Sequence, residues 1–199
     1  GVKIGLSYGN IKWGIIGEDR HYTYYFSGDA IDGCANAEHN AEKGEIILDL
    51  NIISKLEINK EFLTKKSKKY FALKSLDKYD LNKKVMQEKV SIENEILNYF
   101  LPNIVNHLSS KAEFREVTPV FISFEESGKN VKDFVIKILK ATYKFRGYFN
   151  KIDFGDKGGV ILVLFGAPIS YENNISRALD FILEIKTTTN LQFRAGLTH

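Results

Sequence analysis

The stretch GYFNKIDFGDKGGVILVLFGAP, residues 147–168, decides the fold. Residues 147–154 and 159–165 each read as a strand, and Gly155, Asp156, Lys157 and Gly158 between them suit a tight turn. Upstream, residues 117–124 form a mostly apolar run suited to a strand buried on both faces. Between the two, residues 129–145 repeat apolar side chains at helical spacing, with Val131, Phe134, Val135, Ile138 and Leu139 on one face. Residues 176–186 repeat that pattern, and residues 192–198 open a further strand. Strands and helices alternate here, as in a mixed sheet packed by helices.

The beginning of the chain has a related character. Residues 3–8, 11–16 and 22–26 read as three short antiparallel strands, with Gly9 and Asn10 as the turn between the first two. Asp29 is placed to cap a helix from Ala30 to about Glu42, followed by a strand over 45–50 and a short helix or turn over 51–56. Residues 58–113 differ. They are basic, poor in glycine and strongly helical from Leu81 to about Leu108, with Pro102 interrupting, and they read as a structured linker. Phe71, Ala72 and Leu73 suit a short strand within it. Lys3-Ile4-Gly5-Leu6-Ser7-Tyr8 lines up with Arg194-Ala195-Gly196-Leu197-Thr198-His199, which suggests a duplicated domain met twice at the same point.

Composition narrows the class. The 199 residues are 44% hydrophobic, as in a globular chain. A single cysteine, Cys34, forbids an intramolecular disulfide and fits a reducing compartment. The longest apolar stretch, 159–165, is far below the roughly 20 residues of a membrane span. No charged leader precedes an apolar run at Gly1 to Ile4, so a cytoplasmic protein without an integral membrane segment is expected. Residues 55–84 hold ten lysines against four acids, yet they contain no arginine and no regular aromatic spacing. That argues for a solvated connector, not a nucleic-acid surface.

The hairpin of 147–168 resembles the central hairpin of class III nucleotide cyclases, and 174–183 with 193–197 is similar to the helix and strand that follow it there. The nearer resemblance is to the second cyclase domain of soluble adenylyl cyclases, which carries an Asp-Lys-Gly insertion like Asp156, Lys157 and Gly158. Residues 5–9 and 22–32 resemble the later half of such a domain. The resemblance implies a ferredoxin-like α/β cyclase fold. It divides the chain into the late half of a first domain (1–57), a linker (58–113) and the early half of a second (114–199). The halves would complete a sheet in permuted order within the chain, or by exchange between two copies.

It also implies chemistry: ATP converted to cyclic AMP and pyrophosphate with Mg2+ or Mn2+, in a parent protein that supplies the missing halves. Lys151 matches the lysine that contacts the adenine ring, which favours ATP over GTP. The first metal-binding aspartate of the family is replaced by Ser123, and Asp156 is the nearest candidate for the second, displaced by the inserted glycines. On the amino-terminal helix, Asp32 and Asn36 occupy the positions of a family asparagine and arginine. Asp32, Asn36, Ser123 and Asp156 would thus line the degenerate, regulatory site of a tandem pair. No metal ligand or catalytic residue is expected in this fragment. A non-catalytic module that senses a small ligand or regulates attached domains is the alternative. His21, His39, His107 and His199 show no metal-ligand spacing, and Cys34 and Trp13 read as packing residues.

Overall fold

A computed structural model describes residues 1–19, 21–56, 58–74, 114–125 and 130–198. The helical stretch expected over 81–108 lies outside them. The chain divides into two compact units, Gly1–Lys12 with Phe26–Ser91, and Trp13–Tyr25 with Ile92–His199.

The first unit is built on β1 (Ile4–Leu6), helix α1 (Asp29–His39) and β4 (Ile46–Asp49), with β1 and β4 parallel. Helix α2 (Leu50–Lys55) follows directly, started by Asp49, whose Oδ1 accepts from the Ile52 amide at 2.9 Å. The Ser7 hydroxyl donates to the other oxygen of the same carboxylate, tying β1 to the end of β4. A 3-10 turn (Lys60–Phe62), β5 (Leu63–Lys65) and β6 (Tyr70–Leu73) complete a sheet in the order β1-β4-β6-β5. Residues 63–65 and 70–73, within the span read as linker with a short strand at 71–73, are strands of this sheet.

Two local expectations give way here. Gly9 and Asn10 do not join a hairpin: among the described ladders β1 pairs with β4 across the α1 crossover, and β2 pairs with β3. Asp29 does not cap α1. Gly28 stands at the cap with φ +113, a conformation L side chains rarely adopt, and its carbonyl accepts from Ile31 (2.9 Å) and Asp32 (3.1 Å). Among the described residues the unit's core cluster is small, formed by Ala37, Ala41, Ile47 and Ala72 with Tyr70 against it, and Leu48 is also buried. Its surface carries ion pairs, among them Lys66 with Glu45 at 2.6 Å. That hydrogen bond holds the Glu45 carboxyl below its usual range and the Lys66 ammonium above its own.

The second unit contains β7 (Thr118–Phe124), α3 (Val131–Lys144), β8 (Tyr148–Gly155), β9 (Gly158–Phe165), α4 (Asn174–Thr188) and β10 (Phe193–Leu197). Its antiparallel sheet runs β10-β7-β9-β8. A βαββαβ chain with that strand order is the ferredoxin-like arrangement. Val120, Ile122, Phe124, Ile152, Phe154, Ile161, Val163 and Phe165 alternate inward and join Phe134, Val135, Ile138, Ala178, Phe181 and Ile185 from the two helices in one core. Gly159 makes room for this. A Cβ there would lie 2.2 Å from the Phe124 ring, which is itself stacked edge-on to Phe134 and Phe154.

The hairpin of β2 (Lys12–Glu18) and β3 (His21–Ser27) forms a separate two-stranded sheet. Its Ile16 enters the second unit's core, Tyr25 meets Phe154 at 5.5 Å, and His21 meets Tyr143 of α3 at 4.6 Å. Lys140 of α3 pairs with Glu18, and that hydrogen bond raises the Lys140 ammonium. The described ladders form three separate sheets. The mixed α/β class and the ferredoxin-like arrangement expected from the resemblance are present.

Candidate functional site

Among the described residues, the sheet of the second unit has one face under α3 and α4 and one that no described helix covers. Directly opposed residues of an antiparallel ladder share a face, so the register assigns the helix-free one. Asp153, Val160, Ser123 and Arg194 lie in one cross-strand row. Lys151, Leu162, Phe121 and Gly196 lie in the next. A bulge between Phe149 and Lys151 produces this placement. With Asn150 kept in regular alternation and no bulge, Lys151 would fall on the core side and Ile152 outside.

Lys151 is 56% exposed, and its ammonium lies 2.5 Å from the Asp153 carboxylate on the same strand. Ser123 is half-buried between Val160 and Arg194. Asp156 is elsewhere. It occupies the exposed two-residue turn beyond the Gly155–Gly158 pair, about 10 Å along the strand from Asp153 at roughly 3.3 Å per residue. The register thus brings Lys151 and Ser123 to one face, with Asp153, and leaves Asp156 at the hairpin tip. Asp32 and Asn36 are in the first unit on α1, one turn apart and half-buried, with Asn36 Nδ2 donating to the Asp32 carbonyl at 2.8 Å.

Sequence reading passed over Arg194 as a site residue. It is exposed, opposes Ser123 in register, and forms no ion pair among the described residues. Its signal was present in the repeat, where it matches Lys3, but only the strand order shows that it stands beside Ser123.

This donor set does not fit a divalent cation. Mg2+ and Mn2+ take oxygen ligands dominated by carboxylates. Ser123 offers a hydroxyl and is opposed in register by the cationic Arg194, and Asp153 is already engaged by Lys151 about two strand spacings, or roughly 10 Å, away. Among the described residues no cluster of three or more His, Cys, Asp or Glu is placed to hold a metal. The chemistry of the face suits an anion better, since a guanidinium matches phosphate or carboxylate oxygens.

A cleft of about 430 Å³ lies at another place in the unit, around Glu116, Thr118, Tyr171 and the start of α4. Two of its asparagines are engaged at the helix start. Asn174 Oδ1 accepts from the Tyr171 amide (3.3 Å), and Asn173 Oδ1 accepts from Arg177 Nε (2.6 Å). None of the residues singled out from sequence lines it.

No family model matches the chain. Adenylate cyclase type 10 of Homo sapiens is 24% identical to it over 227 aligned positions, covering 92% of the chain and 14% of that protein. Adenylate cyclase type 10 of Oryctolagus cuniculus is similar to the same degree over the same span. The chain therefore spans 14% of the length of the curated relatives it matches. Among the described residues, no helix is long and apolar enough to cross a membrane. What the chain is similar to, distantly but across nearly its whole length, is an adenylate cyclase.

Proposed function

We propose that the chain is part of a tandem adenylyl cyclase in which the helix-free face of the second unit meets the nucleotide through Lys151. The reading is carried by the similarity to adenylate cyclase type 10 over 92% of the chain. It is supported by the bulge that turns Lys151 onto the face carrying Ser123 and Arg194. In the parent reaction the ribose 3′ oxygen of ATP bonds to the α-phosphorus, and the bond from that phosphorus to the bridging oxygen breaks. Pyrophosphate leaves, and the hydroxyl proton is released. Divalent ions would shield the developing charge from residues outside this chain.

Within the chain, the Lys151 ammonium donates to the adenine ring and orients the base, while Arg194 offers a fixed positive charge to an anion. Ser123, Asp156, Asp32 and Asn36 belong to the regulatory counterpart of the working site. The protein acts in the cytoplasm.

Purified full-length parent protein, given ATP or GTP with Mg2+ or Mn2+, is expected to release cyclic AMP from ATP. Lys151→Glu is expected to lower kcat/KM for ATP at least about tenfold, a loss of roughly 1.4 kcal/mol of transition-state stabilisation. Full activity in that variant would refute the role of Lys151. A second reading, a non-catalytic module that senses a small anionic ligand, is favoured by exposed Arg194 opposing Ser123 in register. Absence of any cyclic product from either nucleotide, with retained ligand binding, would select it.

A further inference from the structure

Residues two apart on a strand share a face and lie roughly 7 Å from each other. Lys151 and Asp153 are such a pair on β8, with Ile152 between them in the core. The Lys151 ammonium lies 2.5 Å from the Asp153 carboxylate, so the long side chain is bent along the strand. It is drawn away from its own row, Leu162, Phe121 and Gly196, toward the row of Asp153 that crosses to Val160, Ser123 and Arg194. The ladder partners of the two residues, Leu162 and Val160, are apolar and offer the ammonium no second anion.

The pair does little for the fold. Both side chains are more than half exposed, 56% and 57%, and an ion pair in water adds little to stability. Its consequence falls on the lysine itself. A lysine without a partner spreads over many rotamers and loses that freedom when it binds. A carboxylate that already fixes the ammonium removes part of that loss beforehand, which is preorganisation. The ammonium keeps its capacity, because it carries three donors and Asp153 takes one.

We propose that Asp153 is a positioning residue for Lys151. Its carboxylate holds the ammonium toward the row of Ser123, at the point where it meets the adenine ring, and itself makes no contact with the nucleotide. The inference rests on the reading of Lys151 as the adenine contact and adds the residue that places it.

The test titrates the full-length parent with α,β-methylene-ATP, which carries the base but cannot be cyclised. Asp153→Asn keeps the size of the side chain and removes its charge, and is expected to weaken binding about threefold, as loss of an exposed ion pair allows. Asp153→Glu restores a carboxylate and is expected to recover most of the affinity. In a Lys151→Met background, Asp153→Asn is expected to change nothing further, because both substitutions act on one contact. In the intact 199-residue chain the urea midpoint of Asp153→Asn is expected to equal that of the unsubstituted chain, which separates placement from folding. If Lys151→Met weakens binding but Asp153→Asn does not, or weakens it equally with and without Lys151, the proposal is overturned. A lowered urea midpoint would overturn it as well, by making Asp153 a folding residue. Failure of the parent to bind the nucleotide, or unchanged binding in Lys151→Met, would remove the adenine contact itself and the placement with it.

Discussion

Replacing Phe134 by alanine is expected to destabilise the second unit by about 3–5 kcal/mol, the usual cost of emptying a closed aromatic site. Phe134 is 1% exposed. Its ring meets Phe124 of β7 at 5.1 Å, edge-on, and Phe193 of β10 at 5.7 Å, tilted. One side chain of α3 thus packs on the central strand and on the edge strand that returns to it. Such a cost approaches the whole stability of a marginal domain, roughly 5–15 kcal/mol. Urea titration of the variant is expected to show its midpoint far below that of the parent chain. Phe121→Ala, on the helix-free face, serves as the internal comparison. Phe121 is 51% exposed and is expected to cost under about 1 kcal/mol. Similar losses for the two variants would mean that the inward and outward faces of β7 have been assigned wrongly.

The first unit has its most sensitive point at Gly5. A Cβ on Gly5 would lie 2.3 Å from the Cys34 carbonyl oxygen and 2.3 Å from the Glu38 amide nitrogen. Both are backbone atoms of α1, so no rotamer change relieves the contact, and the helix as a whole must move off the sheet. Gly5→Val is expected to cost about 3 kcal/mol, at the upper end of ordinary overpacking. Hydrogen exchange at Ile47 and Leu48 of β4, the buried strand beside β1, would report it as faster opening. Gly155→Ala, where nothing lies within 4 Å of a new Cβ, is expected to change stability by under about 0.5 kcal/mol. Slow exchange retained in Gly5→Val would show that α1 does not rest on β1 as closely as described.

The elements that sequence revealed best are those whose signal is local and long. Helices α3 and α4 run 14 and 15 residues with an apolar stripe, and β8 and β9 are joined by a two-residue turn that names itself through Gly155 and Gly158. The elements that it concealed are short or paired at a distance. β1 is three residues long, and its partner β4 lies about 40 positions away in parallel. A good turn signal at Gly9 and Asn10 pointed instead to the neighbour in sequence. β5 and β6 are three and four residues within a lysine-rich run, too short for alternation to stand out. The candidate site was legible by residue but not by geometry. The family resemblance selected Lys151 and Ser123, yet only the bulge at Asn150 explains why Lys151 faces outward. Arg194 reaches Ser123 only through the strand order.

The alanine-lined interior of the first unit carries a thermal consequence. Among the described residues, Ala37, Ala41 and Ala72 bury few methyl groups, and Ile47, Leu48 and Tyr70 add the larger side chains. The heat capacity increment of unfolding grows with the apolar area newly wetted. The second unit, with Phe134, Phe165 and Phe181 sealed inside, wets far more. The stability curve of the first unit is therefore the flatter one, changing slowly with temperature, while the curve of the aromatic unit is strongly domed. Warming and cooling thus weigh unequally on the two halves of one polypeptide.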